Sequence, residues 1–336
     1  MNDAIAAACR RDPQRFRGFA HLPFNDMKLA LEEMRRALDE LGFVGVLVTS
    51  NIGGRYLDSA EFYPFWEEAN RRRLPVFMHP SSSPCYRDDQ PGPLLSFPFD
   101  TTLSVYRLIY GGLYELLPDI VLIVAHLGGT LPFLARRTDL VFDVPGFFPG
   151  YKPPARRPSE WMRKLYVDTA LGWNGGAFNC ARELVGLDHI VFGTDYFVRS
   201  TRFMEWTIEF IDGLGLAASE REMIYEKNAR QILNLGAADL ARGGSSVWMT
   251  RRSRVRSAAT CLKRQASRAL SAVSVALGAA DFVPQHNRPG RQPARAGTAQ
   301  GQHPLGRGCD RSWPTDRRAV RGCQPGPGGV YDNFRR

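Results

Sequence analysis

The 336-residue chain is 44% hydrophobic, enough to bury the core of one large domain or two ordinary ones, which excludes a wholly unfolded chain. Its formal charge of +10 suggests a phosphate-bearing partner, but the excess is local: residues 1–240 carry 26 basic and 30 acidic side chains, and residues 241–336 carry 18 and 4. Six dispersed cysteines without a CxxC pair exclude a disulfide scaffold, and no run approaches the roughly 20 apolar residues of a membrane span. With no signal-peptide pattern in MNDAIAAACRRD, the expectation is a soluble cytoplasmic protein.

From the N-terminus, FRGFAHL (16–22) reads as a strand and DMKLALEEMRRALDELG as a helix, with Leu29, Met34, Ala37, Leu38 and Leu41 on one face. FVGVLVTS (43–50) is the next strand. SAEFYPFWEEANRRR follows as a helix with Ser59 at its N-cap and Phe62, Phe65, Trp66 and Ala69 turned inward. LPVFMHP (74–80) leads through a Pro/Ser-rich loop to a helix expected to open at Asp100, whose carboxylate can accept bonds from the first free amides. DIVLIVAHLGG (119–129), KLYVDTA (164–170) and DHIVFGTDY (188–196) are short, nearly continuous apolar runs, the pattern of buried parallel strands. A closing helix has a capping-box start at Ser219 and Glu222, with Ile224, Ile232 and Leu233 on its buried side.

Six βα units with strand centres near 20, 47, 77, 123, 167 and 192 favour one α/β layer architecture over residues 1–240. A doubly wound sheet usually carries a Gly-rich phosphate loop after its first strand, and residues 1–240 contain neither GxGxxG nor GxxxxGK[ST]. A (β/α)8 barrel instead gathers polar residues at strand C-termini. His79, His126 and Asp195 each end a predicted strand, so two imidazoles and a carboxylate converge on one mouth, where they can hold a divalent metal of zinc type. A structural histidine donating to a neighbouring carbonyl is the competing reading for either ring.

Residues 241–336 differ in kind: 17 Arg, one Lys, no Glu and no Ile, with Leu, Val and Phe numbering 13 of 96. Little burial is available there to offset chain entropy, so the segment is read as a disordered basic tail. A GC-rich gene read out of frame has this composition. A nucleic-acid partner is disfavoured, because the segment has few aromatics and no RGG repeat.

The segments RRDPQRFRGFAHLPF, LGFVGVLVTSNIGGRYL, PVFMHP, FPFDTTLSVYRLIYGGLYELLPDIVLIVAHLGGTLPFLARR, LYVDTA, HIVFGTDY and NARQILNL together resemble the amidohydrolase-related barrel family. That family contains aminocarboxymuconate semialdehyde decarboxylase and the metal-dependent aromatic acid decarboxylases, and residues 97–102 and 126–137 most resemble its 6-methylsalicylate decarboxylase branch. The resemblance implies His79 as a metal ligand ending the fifth barrel strand, His126 after the sixth as ligand or water-activating base, and Asp195 after the eighth as metal-proximal acid/base. Arg137 stands at the family's recurrent arginine, although it or Arg136 can equally pair with helix carboxylates. Asp168 either orients the pocket or caps a loop. Phe99, beside Pro98, either lines the substrate entrance or packs at a helix start.

The family's first strand supplies a His-x-His pair, and no histidine precedes His21. The chain therefore reads as strands three to eight of an incomplete (β/α)8 TIM-type barrel lacking the first two. An open fragment of that kind is expected to expose strand edges and apolar core, to bind metal weakly and to be nearly inactive, as a start codon placed too far downstream would produce.

The activity implied by resemblance is metal-dependent, non-oxidative decarboxylation of an ortho-hydroxybenzoate or a related unsaturated acid. The alternatives are a hydrolase or hydratase, or a non-catalytic remnant with a basic tail. The expected cofactor is Zn2+, with Mn2+ second and no organic cofactor, and the expected assembly is a homo-oligomer.

Overall fold

The structure is a computed structural model that describes residues 1–82, 93–146, 153–196 and 202–236. The basic segment 241–336, read from sequence as disordered, lies outside the described residues. Six parallel strands form one sheet: β1 (Phe19–His21), β2 (Gly45–Thr49), β5 (Pro75–His79), β6 (Val121–Val124), β7 (Tyr166–Asp168) and β8 (Ile190–Val191), with a small antiparallel hairpin, β3 (Asn51–Ile52) and β4 (Arg55–Tyr56), inserted after β2. The order β1-β2-β5-β6-β7-β8 never reverses. A doubly wound sheet must reverse, so the topology is that of a partial barrel.

Helices cover the outer face. Phe62, Phe65, Trp66 and Ala69 of the helix Tyr63–Arg72 and its preceding turn are fully buried, as their spacing predicts, and the Trp66 indole N–H donates to Leu57 O at 2.9 Å. Asp26 caps the helix Met27–Arg35, and Met34 and Ala37 face inward. Leu29 does not: it is half exposed, because the buried stripe runs through Ala30, Met34 and Ala37 and Leu29 lies to one side of it. Gly45 is required where it stands, because a Cβ there would lie 2.4 Å from the Phe19 ring and 2.6 Å from Pro75 O.

The inner face answers the expectation of exposed core. Phe19, Leu47, Phe77, Ile123 and Val191, one from each of five strands, are all buried and pack with Ala229 and Leu233 from the C-terminal helical segment. Phe19 of β1 and Val191 of β8 line one narrow cavity with Ile232, so the sheet curls until its outer strands share an interior. Both sheet edges also meet buried asparagines. The Asn2 side chain, carried by the helix Asn2–Arg11, bonds His21 N at 3.0 Å and His21 O at 2.9 Å. Asn228 donates to Leu187 O and Ile190 O at 2.9 and 2.7 Å beside β8. The apolar core, and the edge groups of His21 and Ile190, are thus covered by long-range partners that periodicity does not reveal.

Two helix starts also differ from expectation. The closing helix begins at Ala218, where Glu220 accepts from Ala217 N at 2.8 Å, two residues before the Ser219/Glu222 frame. The helix after β5 runs Pro93–Tyr110, so Asp100 lies in its interior and is no N-cap, and Phe99 is not at a helix start. Among the described residues no helix is long and apolar enough to cross a membrane.

Candidate metal centre

Parallel strands in sequential order bring their C-terminal ends to one side, and three side chains predicted at strand ends meet there. His79 is the last residue of β5, His126 follows β6, and Asp195 follows β8. His79 Nε2 stands 3.7 Å from Asp195 Oδ1 and His126 Nε2 stands 3.9 Å from Asp195 Oδ2, while the two imidazole rings are 5.4 Å apart at 70°. One donor atom from each residue lies within 4.8 Å of the others. No other group of three or more His, Cys, Asp or Glu donors gathers this closely among the described residues.

Each side chain is aimed by its backbone. The His79 ring places Nδ1 2.9 Å from Pro80 O, and since a carbonyl only accepts, Nδ1 carries the proton and Nε2 is left as a bare lone pair in the neutral ring. His126 and Leu127 sit in the left-handed region at φ 59 and 54, followed by Gly128 and Gly129, also at positive φ, and Asp195 is left-handed at φ 50. Non-glycine residues held this way cost on the order of 1–3 kcal/mol each and persist only where neighbours over-determine them. Asp168, buried on β7, supplies that restraint for His126: its Oδ1 accepts from His126 N at 2.8 Å and from Ala170 N at 3.0 Å.

The electrostatics suit a cation. Burial pushes the Asp195 carboxyl up, but the facing rings of His126 and His79 outweigh it and hold the group well below the usual carboxylate range. At 3.7 and 3.9 Å these contacts are too long for hydrogen bonds, so the pull is Coulombic and is exerted by the rings in their protonated form; neutral rings with bare Nε2 lone pairs leave that charge to an ion. The Nε2 atoms of both histidines are buried without a hydrogen-bond partner. A carboxylate opposite two such nitrogens is stable only with positive charge between them, protons or a metal ion. Two ligands on one ion at about 2.0–2.2 Å each stand at most about 4.4 Å apart, so the separations of 3.7 and 3.9 Å from Asp195 to the two rings lie within an ion's reach. The donor set fits a divalent metal. Asp168 shifts the other way: burial raises its carboxyl against the pull of His126 and the two amides.

The remaining sequence candidates lie around this centre or away from it. Asp168 touches backbone amides. Arg137 is on the exposed side of the helix Leu131–Thr138, whereas its neighbour Arg136 pairs with Asp139 and Asp143 at 3.0 and 2.7 Å. Phe99 is 41% exposed inside the helix Pro93–Tyr110, next to the buried Asp100. A separate groove of about 750 Å³ at the β1 edge is lined by Asn2, Asp3, His21, Glu33 and Arg36 among others, and it does not include the three converging residues. Sequence reading missed the left-handed run at His126. Its signal was present in the two glycines of HLGG, which tolerate positive φ.

The amidohydrolase family profile matches residues 1–235. Gamma-resorcylate decarboxylase of Rhizobium sp. (strain MTP-10005) is 30% identical over 252 residues, covering 70% of this chain and 76% of the relative. Decarboxylase orsB of Emericella nidulans is 28% identical over 252 residues, covering 70% and 75%. Among solved structures, dihydroxybenzoic acid decarboxylase from Polaromonas sp. JS666, with bound manganese and the inhibitor 2-nitroresorcinol, superposes with a TM-score of 0.62 at 27% identity, covering 71% of this chain and 76% of that one.

Proposed function

The chain belongs to the amidohydrolase family, and from that premise we propose that it is a metal-dependent, non-oxidative decarboxylase of an aromatic acid. The observation that carries this reading is the convergence of His79, His126 and Asp195 at the strand C-termini, with both Nε2 atoms buried and unpartnered. His79, His126 and Asp195 are the ligands. Zinc is the first expected ion from the donor set, and manganese is the second, since a manganese-bound relative shares the fold. The substrate is an ortho-hydroxybenzoate, of the 6-methylsalicylate kind by the match at residues 97–102 and 126–137. The sheet is read as strands three to eight of the family barrel.

When bound, the ion supplies positive charge that polarises the substrate carboxylate and its neighbouring oxygen. The chain's own groups do the rest. His79 presents a lone pair from a ring locked by Pro80 O. Asp168 holds the main chain of His126 so that its ring faces Asp195. Asp195, ionised at neutral pH, takes up a proton and delivers it to the ring carbon bearing the carboxylate. The carbon–carboxylate bond then breaks, its electron pair stays with the ring, and carbon dioxide leaves. His126, opposite Asp195 Oδ2 at 3.9 Å, completes the ligand set and sets the field in which that proton is taken up. Arg137 and Phe99 remain candidate substrate contacts. The exposed Leu94, Leu95 and Phe133, at 78, 67 and 80%, support a homo-oligomer whose interface covers them.

The test is carbon dioxide release from salicylate-type acids, ring-opened unsaturated acids and lactones, with Mn2+ or Zn2+ added and Asp195→Asn as baseline. Metal-dependent release from an ortho-hydroxybenzoate supports the reading. Hydrolysis of a lactone without carbon dioxide would transfer it to the hydrolase alternative, which the same metal and carboxylate can serve.

A further inference from the structure

Asp100 is wholly buried, and nothing in the proposed chemistry uses it. Its carboxylate takes three side-chain hydrogen bonds: Tyr56 OH donates to Oδ1 at 2.8 Å, Asn51 Nδ2 donates to Oδ2 at 2.8 Å, and Ser50 Oγ donates to Oδ2. No ion pair reaches it among the described residues. All three donors come from the segment that leaves β2, the strand adjacent to β5, where Thr49 stands opposite His79.

Ser50 connects this cluster to the metal centre. Its backbone N–H donates to His79 O at 2.9 Å, and its Oγ accepts from Ser81 N at 3.0 Å. A serine hydroxyl has one proton, and a carboxylate only accepts, so a hydroxyl that gives its proton to Asp100 must receive from Ser81. The Ser81 N–H and the Pro80 C=O belong to one planar peptide unit, so fixing the first fixes the direction of the second. That carbonyl is the acceptor of His79 Nδ1 at 2.9 Å. Asp100, through Ser50, therefore holds the direction of the Pro80–Ser81 peptide, and its carbonyl keeps the proton on His79 Nδ1 and leaves the lone pair on Nε2.

We propose that Asp100, acting through Ser50, is a positioning residue that sets the tautomer and direction of the His79 imidazole. This rests on the metal-centre reading only for its consequence on metal affinity; the tautomer is a property of the chain alone. Partners one step removed from a metal ligand typically govern affinity by about 10–100-fold.

The experiment uses the full chain labelled with 15N-histidine, whose six histidines are assigned by substitution, and reads the His79 tautomer by NMR and Mn2+ affinity by competition with a chelator. Wild type is expected to show the Nδ1–H form. Ser50→Ala is expected to lose that preference and to bind Mn2+ roughly 10–100-fold more weakly. Asp100→Ala is expected to move both readouts the same way and to add no further loss in the Ser50→Ala background. Tyr56→Phe removes a hydroxyl from the same carboxylate without touching the Pro80–Ser81 peptide, and is expected to change neither. The proposal is overturned if wild-type His79 carries its proton on Nε2, an outcome that needs no variant to fold. It is overturned equally if folded Ser50→Ala or Asp100→Ala keeps both readouts, or if Tyr56→Phe matches Ser50→Ala. Should wild type bind no Mn2+ while Ser50→Ala still changes the tautomer, the metal-centre reading fails and the positioning role stands.

Discussion

Gly129 is the tightest point between the His126 turn and the helix Pro93–Tyr110, and its replacement by alanine has calculable consequences. A Cβ at Gly129 would lie 2.4 Å from Pro98 O and 2.8 Å from Thr102 Oγ1, and the residue is at φ +65. The first contact is about 1 Å inside ordinary van der Waals separation and involves a main-chain carbonyl that has no rotamer to adopt. Backbone strain and overpacking together cost roughly 2–6 kcal/mol, which lowers the Tm of a domain this size by roughly 5–20 °C. Two glycines give internal references. Gly42 has φ +72 with nothing within 4 Å of its Cβ, so Gly42→Ala reads strain alone, about 1–2 kcal/mol. Gly128 has φ +78 and meets a Val167 methyl at 3.2 Å and the Pro132 ring at an ordinary 3.6 and 3.7 Å, so Gly128→Ala should fall between them. Gly129 N donates to His126 O at 3.0 Å, so Gly129→Ala should also weaken metal binding, whereas Gly42→Ala should not. Differential scanning calorimetry ranks the three, and a Gly129→Ala protein no less stable than Gly42→Ala would refute the reasoning.

Further outcomes follow from other contacts. Asp58 is fully buried and paired with the partly exposed Arg107 at 2.9 Å; Asp58→Ala leaves the guanidinium without its carboxylate and should cost about 1–3 kcal/mol in urea unfolding, while equal stability would mean the pair is dispensable. Asn2→Ala removes the side chain that bonds both His21 N and His21 O, and should destabilise the chain by about 1–3 kcal/mol with hydrogen exchange accelerating at β1. Arg71, then Arg72, bonds Glu68 and overcomes its burial, so its carboxyl is lowered to about 2; the stability it contributes is present above its unfolded value near 4.5 and is lost as pH falls towards 2. Glu68→Gln should therefore flatten the acid limb of the stability profile between those values, and an unchanged limb would deny Glu68 that role.

The strands were legible because parallel β-structure leaves short apolar runs, and all six fall where those runs lie. His79, His126 and Asp195 were legible for a related reason: parallel topology sends strand C-termini to one side, so polar residues closing apolar runs must meet. Asp100 was misread because local pattern offers a helix cap wherever an acid precedes an apolar stretch. The helix instead begins at Pro93, a residue well suited to a first turn, and the partners that define Asp100 lie 44–50 positions away. The covering of the inner face by Ala229 and Leu233 was hidden likewise, since a helix stripe does not say which surface it meets. Arg136 and Arg137, adjacent and identical in type, are separated only by their directions, one toward Asp139 and Asp143 and the other toward solvent.

The central claim, that His79, His126 and Asp195 form one metal site, is tested most directly by titrating the folded chain with Mn2+ and reading free ion by electron paramagnetic resonance. The account predicts one saturable site per chain, abolished separately by His79→Ala, His126→Ala and Asp195→Asn, each folded by circular dichroism. Saturable binding that survives all three substitutions, or a folded wild-type chain that leaves Mn2+ wholly free, would contradict it.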